Sequence, residues 1–178
     1  MNDDGGGNSV FLDRHNVKCG HGEAISSFHL KRGGNKYQIV YKCCKTPVVC
    51  KPRPKENKMT DDGSGSMVFL DRQNINCGKN YLTQFKMTRK PGGGQYKFSY
   101  TCCDIPGEAD VKKQNTNFND DGGGNLIYLD RHKVQCPEPY SLSQWRLKRN
   151  APAFGKIQFE YTCIKAIPVP SKQYLSMI

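Results

Sequence analysis

The sequence predicts an all-β protein made of three tandem, disulfide-stapled repeats. One set of motifs recurs three times in the same order, apolar residues alternate with a period of two in every copy, and cysteines fall at one fixed offset. A chain of 178 residues with 18 glycines and 10 prolines suits short strands joined by many turns better than a helical bundle. No segment carries a 3.6-residue apolar period, and none approaches the roughly 18 consecutive apolar residues of a membrane-crossing helix.

The copies run over residues 2–59, 60–118 and 119–178. Each opens on a turn motif: Asp3-Asp4-Gly5-Gly6-Gly7-Asn8, Asp61-Asp62-Gly63-Ser64-Gly65-Ser66 and Asp120-Asp121-Gly122-Gly123-Gly124-Asn125. Phe11-Leu12-Asp13-Arg14, Phe69-Leu70-Asp71-Arg72 and Tyr128-Leu129-Asp130-Arg131 follow, and the apolar run Val10-Phe11-Leu12 reads as a strand after the turn. Cys19, Cys77 and Cys136 come next, each fifteen residues beyond the second aspartate.

Two further strands complete each unit. Phe28 and Leu30 alternate with His29 and Lys31; Tyr37, Ile39, Tyr41 and Cys43 alternate with Gln38, Val40 and Lys42. Such a period marks a strand with one buried face. Glycine-rich pieces, Arg32-Gly33-Gly34-Asn35 and Pro91-Gly92-Gly93-Gly94, join the strands as hairpin loops. The spacers after each unit begin alike, at Lys45-Thr46-Pro47-Val48, Asp104-Ile105-Pro106 and Ala166-Ile167-Pro168-Val169, which suggests an extended segment reaching toward the next copy. Within the first, Lys51-Pro52-Arg53-Pro54-Lys55 is excluded from a central strand, because proline lacks the ladder donor, and reads as an exposed connector.

Bridges Cys19–Cys43, Cys77–Cys102 and Cys136–Cys163 would staple the units, each closing a loop of about 25 residues worth roughly 3 kcal/mol. Cys44, Cys50 and Cys103 remain, and three thiols cannot all pair within one chain. Cys44–Cys50 and Cys44–Cys103 are both open as internal pairs, and a bridge to another molecule, such as another copy of the chain, would run through Cys103 first, or else through Cys44 or Cys50. Three such units can close around a pseudo-threefold axis, as a β-prism or a trefoil-like domain, or stand in line as beads. Ends at repeat boundaries favour closure; the proline-bearing spacers favour beads; closure is the preferred expectation.

The layout of Cys19-Gly20, then Ile25-Ser26-Ser27-Phe28-His29-Leu30, then a strand ending in Cys43, resembles the vitelline membrane outer layer protein I family over about half of each unit. The resemblance implies an extracellular β-prism of three Greek-key repeats with carbohydrate contact.

Composition narrows the function. Nine cysteines without a Cys-x-x-Cys motif point to an oxidising compartment. The opening Met1-Asn2-Asp3-Asp4-Gly5 has no signal-peptide character, so an extracellular chain would be a mature form. The net charge of +11 suits an extracellular glycan or acidic polymer, or simply keeps a glycine-rich β surface soluble. Nucleic acid is an unlikely partner, for no nucleic-acid module is legible.

The aspartate pairs Asp3/Asp4, Asp61/Asp62 and Asp120/Asp121 suit a turn, or alternatively Ca²⁺ with its many oxygen ligands. The pairs Asp13-Arg14, Asp71-Arg72 and Asp130-Arg131 are candidate ligand contacts for sugar hydroxyls or acidic groups, or fasteners between units. Lys31/Arg32, Arg89/Lys90 and Lys148/Arg149, with Tyr41, Tyr100, Tyr161 and Trp145, form either a basic aromatic platform or, for the aromatics, core. His15 and His132 precede cysteines by four residues, but Gln73 replaces the histidine in the second copy, which argues against zinc and against a repeated catalytic histidine. No catalytic motif is visible. The expectation is a secreted, non-enzymatic structural or binding module of matrix, coat or cell surface, with a calcium-assisted lectin as the second reading and a secreted hydrolase, needing two flanking carboxylates, as a third.

Overall fold

The computed structural model describes residues 1–167. Strands of the first repeat are β1 (Asn2–Asp3), β2 (Asn16–Lys18), β3 (Glu23–Gly33), β4 (Lys36–Lys45) and β5 (Lys51–Glu56). The second repeat supplies β6 (Thr60–Asp61), β7 (Ile75–Asn76), β8 (Tyr81–Arg89), β9 (Gln95–Asp104) and β10 (Ala109–Asn115). The third supplies β11 (Asn119–Asp120), β12 (Lys133–Gln135), β13 (Ser141–Arg149) and β14 (Lys156–Ala166). All-β is the class, and the strands form three antiparallel sheets, none closed on itself.

Each sheet is centred on one repeat's long hairpin: β3 with β4, β8 with β9, β13 with β14. Each also borrows a short strand from a neighbour. β2 of the first repeat pairs with β8 of the second, β7 of the second with β13 of the third, and β12 of the third with β3 of the first. Lending therefore runs once around the three units and returns to its start. One core cluster draws on all three repeats, so the units are not separate beads.

Aromatic residues at equivalent places in the three hairpins meet in this core. Phe28, Phe85 and Trp145 touch one another with ring centroids 5.2–5.4 Å apart, in tilted or edge-on geometry. Edge-to-face arrangements of this kind add about 0.5–1.5 kcal/mol per pair beyond burial.

Two sequence expectations change. The run Val10-Phe11-Leu12 is not a strand; Ser9–Arg14 forms a 3₁₀ turn, as do Met67–Arg72 and Leu126–Arg131. Asn8 and Asn125 start two of these turns, their side-chain oxygens accepting from Val10 N and Ile127 N. The third strand of the unit is instead the short lent strand that follows the turn. The connector Lys51–Glu56 is an edge strand, β5, on β9. Pro52 and Pro54 are two apart, so both missing donors lie on the same side of the strand, the side away from β9. The first two spacers do reach the next copy, since β5 lies on β9 and β10 on β14, while the third, from Pro168 on, lies outside the described residues.

The bridges Cys19–Cys43, Cys77–Cys102 and Cys136–Cys163 are formed. A fourth, Cys50–Cys103, pins β5 to the second sheet. This corrects the expectation of an intermolecular bond through Cys103 or Cys50, and it excludes both Cys44–Cys50 and Cys44–Cys103; Cys44 is the free thiol. The sequence pattern did not show that Cys50 is carried to the neighbouring sheet by its spacer.

Candidate functional site

The aspartate pairs are held by backbone donors. Asp3, Asp61 and Asp120 accept from the N–H of Gly5, Gly63 and Gly122 at 2.6, 2.6 and 2.7 Å. Asp4, Asp62 and Asp121 accept from Gly6, Ser64 and Gly123 at 2.9 Å each. These are Asx turns, which lock the loop that starts each repeat. The third glycine is required there: Gly7, Gly65 and Gly124 have φ of +88 to +90°, and a Cβ on any of them would fall 2.1 Å from Asn125, Asn8 or Ser66 of a neighbouring repeat. Among the described residues no three acidic, histidine or cysteine side chains converge as a metal would require.

The Asp-Arg pairs face two ways. Arg14, Arg72 and Arg131 stack over Phe11, Phe69 and Tyr128, 4.0, 4.1 and 4.0 Å from the ring centroids. The aspartates look outward to the next unit: Asp13 lies 3.8 Å from Arg89 and Asp130 2.7 Å from Arg32. Asp71 feels Arg149 in the same sense around the ring, although burial, the larger influence, raises its pKa. So Arg32, Arg89 and Arg149 stand at the seams between units, while Lys31 and Lys90 remain exposed. Each partly exposed ion pair is worth about 0–1 kcal/mol and acts mainly on register.

His132 and Gln73 fill equivalent buried places. His132 Nδ1 lies 2.9 Å from Thr116 Oγ1, and Gln73 donates to Thr60 Oγ1 at 2.6 Å and accepts from Asn57 at 2.9 Å. Burial first, then Arg131, lowers the His132 pKa below 6.5. Such a group is neutral in both states at high pH, but the unfolded chain binds its proton first as pH falls, so stability declines below about pH 6.5. His15 is lowered for the same leading reason. We expect His132→Gln to change the melting temperature little at pH 7.5 and to reduce its fall between pH 7.5 and 5.5. Thermal melts at the two pH values check this.

The outer faces of the sheets hold a pair of grooves that repeat motifs did not reveal. On the second sheet Pro54, Lys55, Glu56, Gln84, Lys86, Ser99, Tyr100 and Thr101 line a groove of about 460 Å³. On the third, a groove of about 400 Å³ has its equivalent at every one of those positions, including Lys113 for Pro54, Gln144 for Gln84, Arg146 for Lys86 and Tyr161 for Tyr100. The spacer strand forms one wall in each case, so the groove exists only once β5 and β10 have docked. Their charge differs. Arg146 and Lys148 both donate to Glu160 at 2.7 Å, and Lys148 and then Arg146 hold its carboxyl below the ordinary value. Ser99 replaces that glutamate in the second sheet, leaving Lys86 without an acidic partner across the strand pair.

Tyr100, Tyr161 and Trp145 are buried, so they belong to the core rather than to an aromatic platform; Tyr41 is exposed. No described helix is long and apolar enough to cross a membrane. The chain matches no family model, no curated protein and no solved structure.

Proposed function

We propose that the protein is a secreted, non-enzymatic attachment module whose three units close around a pseudo-threefold axis as a β-prism, and that it binds extracellular acidic polymers through the grooves on its sheets. The equivalence of the two grooves is the observation that carries the reading. Repeated sites on one rigid body raise avidity toward a repeating polymer. Four disulfides support the extracellular assignment. The cyclic lending of strands supports closure, and a β-prism is the architecture that a resemblance to the vitelline membrane outer layer protein I family would imply.

Lys86 faces Ser99 rather than a glutamate, and Glu56 of the same groove is engaged by Lys97 at 2.6 Å, which makes the second-sheet groove the stronger anion site. On a column of immobilised sulfated glycosaminoglycan we expect retention at about 0.15 M salt, with Lys86→Glu eluting at distinctly lower salt and Lys148→Glu much less affected. Passage of the unmodified protein without retention overturns the reading. The second reading, a lectin for neutral sugars, rests on the amide and hydroxyl lining of the same grooves and on the Asp-Arg edges at Asp13/Arg14, Asp71/Arg72 and Asp130/Arg131. A neutral glycan array run in calcium and in chelator decides it.

A further inference from the structure

We propose that residues 172–177 of this chain lie antiparallel along the outer edge of β4 as the spacer strand of the first sheet, and that they wall a third groove there for the same acidic polymers. The choice of polymer rests on the attachment reading; the strand stands without it.

The cyclic plan of the fold leaves one place and one segment to be matched. The first repeat sends two strands forward to the second sheet, β2 onto β8 and β5 onto β9. The second repeat sends β7 onto β13 and β10 onto β14, both in the third sheet. The third repeat sends β12 onto β3 of the first sheet, and its own spacer begins after β14, outside the described residues from Pro168 on. The same forward step carries that spacer to β4. Among the described residues the outer edge of β4 is paired only at Lys36 and Tyr37, by β1. Positions that a spacer shields in the other sheets are less shielded here by those residues. Tyr41 is 39% exposed, against 6% for Tyr100 and 8% for Tyr161, and Cys44 is half-buried where Cys103 and Ile164 are buried.

The segment fits the place in sequence. Pro47-Val48-Val49-Cys50-Lys51, which leads into β5, is answered by Pro168-Val169-Pro170-Ser171-Lys172, with serine at the position of Cys50. The register of β5 on β9 then sets Lys172 opposite Lys45, Tyr174 opposite Cys43 and Ser176 opposite Tyr41. Lys45 has Glu23 across from it on β3, which supplies an acidic neighbour for the two lysines. With Cys44 and Ser171 in the places of the bonded Cys103 and Cys50, main-chain ladder bonds alone hold this spacer.

A spacer on β4 builds what the spacers build on the other two sheets. Leu175, Ser176 and Met177 fall at the positions of Pro54, Lys55 and Glu56, which wall the second-sheet groove. His29 stands at the place of Lys86, and Lys133 of β12 lies opposite it, where Asn16 lies opposite Lys86. A cation lent by the third repeat thus keeps this groove basic.

Amide exchange on the full chain tests the strand. Asn57 N–H donates to Phe98 O at 2.9 Å, so by alternation Arg53 and Lys55 also donate toward β9, and Pro52 and Pro54 occupy the positions that face away. Positions 174 and 176 correspond to the donors, and 173 and 175 to the prolines. Slow exchange is expected at Tyr41 and Cys43. Tyr174→Pro is expected to speed it at least about tenfold, while Leu175→Pro leaves it slow. Fast exchange at both amides in the unmodified chain, or the same rates in the two proline variants, overturns the strand. The variants carry equal charge, so the immobilised glycosaminoglycan column compares them directly. Tyr174→Pro is expected to elute at lower salt than Leu175→Pro, and equal elution overturns the third groove. Passage of the unmodified chain without retention overturns the attachment reading and leaves the exchange result standing.

Discussion

Trp145→Ala is expected to destabilise the protein by about 3–5 kcal/mol, lowering the melting temperature by on the order of 10 °C for a chain of this size. Trp145 is 3% exposed and lies within 5.2–5.8 Å of Phe28, Phe85, Phe98 and Phe159, counted between ring centroids. Those rings come from all three hairpins, so the vacancy opens where the units meet and no single hairpin can collapse to fill it. Phenylalanine already stands at the equivalent place in the other two copies, as Phe28 and Phe85. The indole Nε1 is buried without a hydrogen-bond acceptor among the described residues. Trp145→Phe removes that unpaired donor along with some volume, and is expected to lose less than half as much as the alanine variant. Calorimetry on the two variants checks both values; equal losses would place the energy in the indole itself rather than in the shared cluster.

Removing the Cys77–Cys102 bridge by Cys77→Ala with Cys102→Ala is expected to lower stability by about 3 kcal/mol. Its location adds a more specific consequence. Cys77 follows β7, which lies on the third sheet, and its N–H donates to Ser143 O of β13 at 3.0 Å. Cys102 belongs to β9 of the second sheet. A bridge internal to one repeat in sequence thus ties two sheets together in space. Hydrogen exchange in the double variant is expected to accelerate first at Ile75, Asn76 and Cys77, with the β8–β9 hairpin protected longer. Uniform acceleration across the second repeat would mean that the bridge acts only on the unfolded chain.

The hairpins were legible because period two and a glycine loop are local signals, and Tyr96, Phe98 and Tyr100 announce a buried face within a few residues. The three within-repeat bridges were legible because spacing recurs. Lending was not: Asn16-Val17-Lys18 offers a single apolar residue, Val17, and nothing in it says which sheet receives it. Val10-Phe11-Leu12 misled in the opposite direction, since an apolar run of that length serves a 3₁₀ turn as well as a strand. Pro52 and Pro54 argued correctly against a central strand, yet an edge strand accommodates both. The grooves stayed hidden for the same reason as the Cys50–Cys103 bond: their walls are spacer strands whose docking partner lies in the following repeat.

The circular lending of β2, β7 and β12 also sets an order on birth at the ribosome. Val134 must settle against Phe28, which leaves the ribosome two repeats earlier, before the first sheet has its full complement. The β3–β4 hairpin thus waits, with one flank unclaimed, until the third repeat has appeared.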